Sequence, residues 1–140
     1  MVSESKAVRE ILFRGKREDN GNWIVGSFHK SINDCYIIPL PVVTSKSKVI
    51  PETVGQFTGL ADKNGKKIFE GDIVRHWNGS DDGYDTGRVF WDAGYCGWRR
   101  TTDGTFHSRI VDTYRMSSKC CYKVIGNIHD NPELLEGCDG

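Results

Sequence analysis

The chain has 140 residues, 37% hydrophobic and 27% charged, with 19 Lys and Arg set against 19 Asp and Glu. That length allows one domain or two very small ones, each able to bury a real core. The composition excludes a disordered chain, and no apolar run approaches the roughly 18 to 20 residues that span a bilayer. Zero formal charge also removes the strongly basic footprint of a non-specific nucleic-acid binder. A local excess remains between Arg88 and Lys123, where seven bases meet three acids.

Met1 to Glu10 mixes charge with serine and has no apolar core of a signal peptide, so a cytoplasmic location is expected. Cys35, Cys96, Cys120, Cys121 and Cys138 are odd in number and form no C-x-x-C pair. They read as reduced thiols, some of them buried as small hydrophobes, with no disulfide framework and no zinc site.

Sixteen glycines punctuate the chain, and short apolar runs between turn residues predict strands. Residues 11–15 make the first, Asp19-Asn20-Gly21-Asn22 a turn that tolerates positive φ, and residues 23–28 the returning strand. A third strand is expected at residues 35–38, ended by Pro39 and Pro41, and another at 42–47. Residues 51–60 are irregular and read as a connector tacked down by Val54, Phe57 and Leu60. Asp62-Lys63-Asn64-Gly65 predicts a turn, residues 66–69 a short extended piece, and residues 72–77 a strand after the turn Glu70-Gly71-Asp72.

Residues 78–87 form a solvated loop; its three aspartates, Asp81, Asp82 and Asp85, read as a loop tip and not as a cation site. Strands follow at 87–92, at 98–102 and, as a further candidate, at 105–109, with a last one at 122–128. Asp130, Pro132 and Glu133 announce a short helix that stops at Gly137. The fold class expected is mainly β. Residues 7–56 form an N-terminal hairpin region, and residues 57–136 a small SH3-like barrel with a short C-terminal helix, because closing a short sheet removes its edges.

Three blocks carry a family likeness: "ILFRGKREDNGNWIVGSF" at 11–28, "VIPETVGQFTGLADKNGKKIFEGDIV" at 49–74 and "YKVIGNIHDNPELLEG" at 122–137. Together they resemble the YopX family, with His129 and Phe69 standing where tyrosine is expected. The resemblance implies a phage- or prophage-encoded, mostly β protein of unassigned function, which would act in the cytoplasm of a bacterial host. It supplies no catalytic residues. Residues 75–121 match the family pattern least.

No nucleophile elbow, P-loop, dinucleotide fingerprint or paired-histidine motif is present, and His29, His76, His107 and His129 are scattered. The Asp62 turn lacks the glycine and glutamate of a calcium loop, since those places hold Lys67 and Ile73. No catalytic residue, metal or cofactor is assigned. The best functional candidate is an aromatic and arginine cluster on adjacent predicted strands: Trp77, Trp91, Trp98, Arg99, Arg100 and Arg109. Exposed tryptophans flanked by arginine suit a partner surface or a stacked base.

Against this stands the ordinary use of tryptophan as core in small β-folds. Alternation sets Trp91 opposite in facing to Phe90, and Trp98 opposite to Arg99. The leading expectation is a non-enzymatic binding module with a protein partner. The alternatives are a single-stranded nucleic-acid binder and an enzyme whose site the fold assembles. Self-association is a further expectation, because small sheets have edges to cover.

Overall fold

The computed structural model describes residues 10–39, 45–77, 84–94, 96–101, 113–115 and 122–136. The chain forms two compact units, which meet in sequence between Gly59 and Leu60. Both are antiparallel β-structure, as the punctuated sequence predicts. The one α-helix described, α1 (Glu133–Glu136), is a single turn.

In the first unit β1 (Phe13–Lys16), β2 (Trp23–Lys30), β3 (Cys35–Pro39), β4 (Ser47–Val49) and β5 (Gly55–Ala61) stand in the order β4-β3-β2-β1-β5. The β1–β2 hairpin pairs Lys16 with Trp23. Its turn has Gly21 at φ 75°, as Asn-Gly demands. The sheet curls until β4 meets the end of β1. Arg17 bridges Val49, and the Glu18 amide donates to the Lys48 carbonyl at 2.9 Å.

Inside the curl Cys35, Ile37 and Val49 are buried, with Phe13, Ile24, Phe28 and Val54 packed around them. Gly15 belongs to this inner face because a Cβ there would touch Val49 at 3.1 Å. A 3-10 turn at Pro51–Thr53 sits against β1, and Thr53 Oγ1 accepts from the Lys16 amide at 2.9 Å. The stretch expected as a connector is therefore the 3-10 turn followed by β5. Its glycines and threonines hide the alternation, which becomes visible only when Gly55 and Gln56 pair with Arg14 and Phe13.

The chain passes into the second unit within β5. Its last residues, Leu60 and Ala61, lead through a tight turn into β6 (Lys67–Phe69), the next strand of that sheet. A second sheet follows: β7 (Asp72–Trp77), β8 (Tyr84–Asp92), β9 (Gly97–Thr101), β10 (Thr113–Arg115) and β11 (Tyr122–Asn127), ordered β10-β9-β8-β7-β11. Ile68, Val74, Val89 and Tyr122 form its core, with Leu60, Trp98 and Val124 against them.

The expected SH3-like closure is not formed among the described residues. β10 and β11 stand at opposite edges, and β11, after an irregularity between Val124 and Gly126, leads into α1 instead of a closing strand. β10 was not anticipated, and the strand expected at 105–109 lies outside the described residues. No helix described here is long and apolar enough to cross a membrane.

Buried aspartates fasten the turns of this unit. Asp62 is 6% exposed; its Oδ1 accepts the amides of Asn64 at 2.8 Å and Lys66 at 2.9 Å, and its Oδ2 accepts the Val124 amide at 3.0 Å. Asp72 accepts the Phe69 amide at 2.7 Å, and Asp92 the Gly94 amide at 3.0 Å. Burial of Asp62 alone would raise its pKa. The Val124, Lys66 and Asn64 amides, helped by the Lys66 charge, outweigh that and hold it below the ordinary value. Both Asp62 oxygens thus accept N–H donors, which close the turn and tie it to β11.

A carboxylate whose folded pKa is depressed stabilises the fold above its unfolded pKa, here 3.8, and loses that contribution as pH falls through the folded value. Asp62→Ala is expected to lower stability by about 2 kcal/mol at neutral pH, because three part-buried amides lose their acceptor. The gap between wild type and mutant in urea unfolding should close as pH falls below about 4.

Two glycines permit close strand approach. A Cβ at Gly26 would lie 2.7 Å from the Ile38 carbonyl carbon, and one at Gly87 would lie 2.8 Å from that of Thr101, with the carbonyl oxygens nearer still. Gly26→Ala and Gly87→Ala should each cost about 3 kcal/mol, since backbone cannot yield as a side chain can. Thermal melts of the two variants would show it. A glycine with open space, such as Gly65, offers no such clash.

Candidate functional site

The candidate cluster is carried by the β8–β9 hairpin. Its register pairs Val89 with Arg100, Phe90 with Arg99 and Trp91 with Trp98. Paired residues share a face, so the hairpin presents two surfaces of different character. Val89, Trp91, Trp98 and Arg100 lie on the core side, and Arg88, Phe90, Asp92 and Arg99 on the other.

Trp98 packs on the core, while Trp91, at the end of the same row, is 47% exposed. The two indoles meet edge to face with centroids 5.1 Å apart at 72°. Trp91 is therefore an exposed ring whose orientation is fixed by a neighbour anchored in the core. An edge-to-face pair of this kind adds about 0.5 to 1.5 kcal/mol beyond burial.

Arg100 is only 3% exposed. Its guanidinium lies 5.7 Å from the Tyr122 ring centroid, and its Nη2 approaches His76 Nδ1 at 3.4 Å. Arginine can only donate, so Nδ1 is the acceptor in this contact. His76 and Tyr122 are themselves in ring contact at 5.1 Å. Arg100 thus fills the core side of the sheet and is not presented to a ligand.

Arg99 pairs with Asp92 at 3.4 Å, and both side chains are largely buried, at 13% and 8% exposure. That pair spans the hairpin diagonally while Asp92 also holds the Gly94 amide. On this face Arg75, Arg88 and Lys123 are exposed, and Arg88 lies over the Phe90 ring at 5.4 Å. Trp77 ends β7 opposite Tyr84, but its side chain falls outside the described residues, as does all of Arg109. The structure brings Trp91 and Trp98 together, and sends Arg99 and Arg100 to opposite faces.

The Asp81–Asp85 loop is largely outside the described residues; of its aspartates only the backbone of Asp85, paired with His76, is placed. Among the described residues no group of three metal-ligating side chains gathers. In the first unit a depression of about 360 Å³ is lined by Arg17, Glu18, Asp19, Lys46, Ser47 and Lys48. Arg17, Asp19, Glu18 and Lys48 are engaged in ion pairs. Arg17 clasps Asp19 at 2.9 Å, and Lys48 meets Asp34 at 3.2 Å and Glu18 at 3.6 Å. Both acids raise the Lys48 pKa, Asp34 most through its hydrogen bond.

Outside the residues singled out from the sequence lies the outer face of the first unit, where Arg14 and Lys16 lie over Trp23, and Lys46 over Tyr36. The signal was available: the Asn-Gly turn fixes the register that sets Lys16 opposite Trp23.

The different settings of the two indoles give a direct check. Trp98→Ala should lower stability by about 3 kcal/mol, as a truncation against the core does, and Trp91→Ala by no more than about 1 kcal/mol. Urea unfolding followed by circular dichroism would separate them.

No curated protein matches the chain. Among solved structures, the crystal structure of protein EF1440 from Enterococcus faecalis is similar, with a TM-score of 0.51 and 22% identity over 91% of this chain and 99% of that one. That likeness is one of fold. The model of the YopX protein family matches residues 12–136, spanning both units and the hairpin between the resembling blocks, and the chain belongs to the YopX family.

Proposed function

We propose that this YopX-family chain is a non-enzymatic binding module that docks a protein partner on the Trp91 corner of the β8–β9 hairpin. The observation that carries the reading is the exposed indole held edge to face on a core-anchored tryptophan. Binding energy at protein interfaces concentrates in a few tryptophan, tyrosine and arginine anchors, and an anchor already fixed in the free protein loses little rotamer freedom on docking. Zero net charge on the whole chain weakens long-range attraction for a polyanion, which supports a protein partner. A phage or prophage origin, implied by the family resemblance, and a cytoplasmic setting complete the reading. A second copy of the chain is one candidate partner.

Affinity capture from nuclease-treated, prophage-bearing bacteria tests it. Wild type should retain a partner that survives nuclease, and Trp91→Ala, still folded, should lose it by about thirtyfold in affinity, the scale of one hot-spot residue. Equal capture by the variant, or release of everything by nuclease, would overturn the reading.

A further inference from the structure

We propose that the outer face of the first unit's curled sheet is a stacking platform for single-stranded nucleic acid, made by Trp23 and Tyr36 with Arg14, Lys16 and Lys46. The register fixes this face. Phe13, Ile24, Ile37 and Val49 point into the curl, so Arg14, Lys16, Trp23, Val25, His29, Tyr36 and Lys48 point out. Trp23 stands directly across from Lys16, and Tyr36 across from His29 on one side and Lys48 on the other. Val25, between them, is 41% exposed. The strip from Trp23 to His29 covers seven residues of β2, about 20 Å at the rise of an antiparallel strand.

Two properties of this strip select its occupant. Its aromatic rings are layered with cations: the Arg14 guanidinium at 4.7 Å and the Lys16 ammonium at 5.6 Å from the Trp23 centroid, and the Lys46 ammonium at 4.2 Å from that of Tyr36. Its positive charge lies at the Trp23 end, with Arg14 and Lys16, while at the Tyr36 end Lys46 and Lys48 balance Glu18 and Asp34. Residues 1–70 carry 11 bases and 8 acids, so the neutrality of the whole chain conceals a basic first half.

Flat aromatic faces alternating with cations are what a single strand requires, because its bases stack and its phosphates pair with charge. The Lys46 ammonium can exchange a ring for a phosphate without loss of charge compensation. A duplex keeps its base faces inside and cannot use the rings. An acidic peptide would satisfy the cations but has no array of flat faces.

The test is fluorescence anisotropy of a labelled oligothymidylate and an oligouridylate titrated with the whole chain. With Arg14, Lys16 and Lys46 each meeting a phosphate, the slope of log K against log salt should be about −2, so binding weakens about twentyfold between 50 and 200 mM salt. Lys46→Gln changes only an exposed side chain and should reduce the slope by about 0.7. Tyr36→Leu keeps the apolar bulk and should weaken binding about fivefold or more. Lys63→Gln, in an exposed turn of the other unit, should bind as wild type does. Absence of binding at 50 mM salt would overturn the proposal. So would an unchanged slope in Lys46→Gln, equal affinity for a duplex of the same length, or equal competition by inorganic polyphosphate or polyglutamate.

Discussion

The carboxylate of Asp62 ties together two stretches of the second unit that lie 62 residues apart in sequence, through the Val124 amide on one oxygen and the turn amides of Asn64 and Lys66 on the other. The Lys63 amide adds a bond to the Tyr122 carbonyl beside it. A strand edge that met water here would leave β11 held only by its ladder to β7. The cost of burying a charge is met by three oriented dipoles, so the group stays ionised despite its burial. Tyr122 and Val124, positioned by this clamp, then become part of the core against which Trp98 packs. The exposed indole of Trp91 depends on that chain of contacts, since its orientation is inherited from Trp98.

The elements most legible in the sequence were those whose turn chemistry is local. Asn20-Gly21, Asp62 to Gly65 and Glu70-Gly71-Asp72 each mark a reversal that an Asx side chain or a positive φ enforces within a few residues. β5 was not legible. Gly55, Gln56, Thr58 and Gly59 give no alternating pattern, and its extended form is set by pairing with β1, a contact distant in sequence. The three-residue β10 is likewise defined by its partner β9 and not by its own composition.

The candidate cluster was legible in residue type and illegible in facing. Alternation states that Arg99 and Arg100 part, but it does not state which of them enters the core. Arg100 enters because Tyr122 and His76 provide a ring face and a nitrogen acceptor for its guanidinium, and Tyr122 arrives from the far end of the sequence. Arg99 remains on the opposite face because Asp92 already sits there holding the hairpin turn. In each case the arginine's place is decided by a residue on another strand, and the electrostatic and aromatic partners matter more than hydrophobicity.

The curl of the first unit has a consequence for its outer surface. In a sheet that returns on itself where Arg17 bridges Val49, alternate residues face outward whatever their chemistry. Trp23 and Tyr36 fall at such positions. The stems and charges of Arg14, Lys16 and Lys46 laid over their rings cover apolar surface at no cost in core volume. The arrangement therefore serves the fold in the free protein. A cation–ring contact of this kind is weak, roughly 0.5 to 1 kcal/mol at an exposed site, so the exposed Lys46 can give up the Tyr36 ring for a phosphate. The contacts that make this face stable in isolation are for that reason compatible with its giving them up to a ligand.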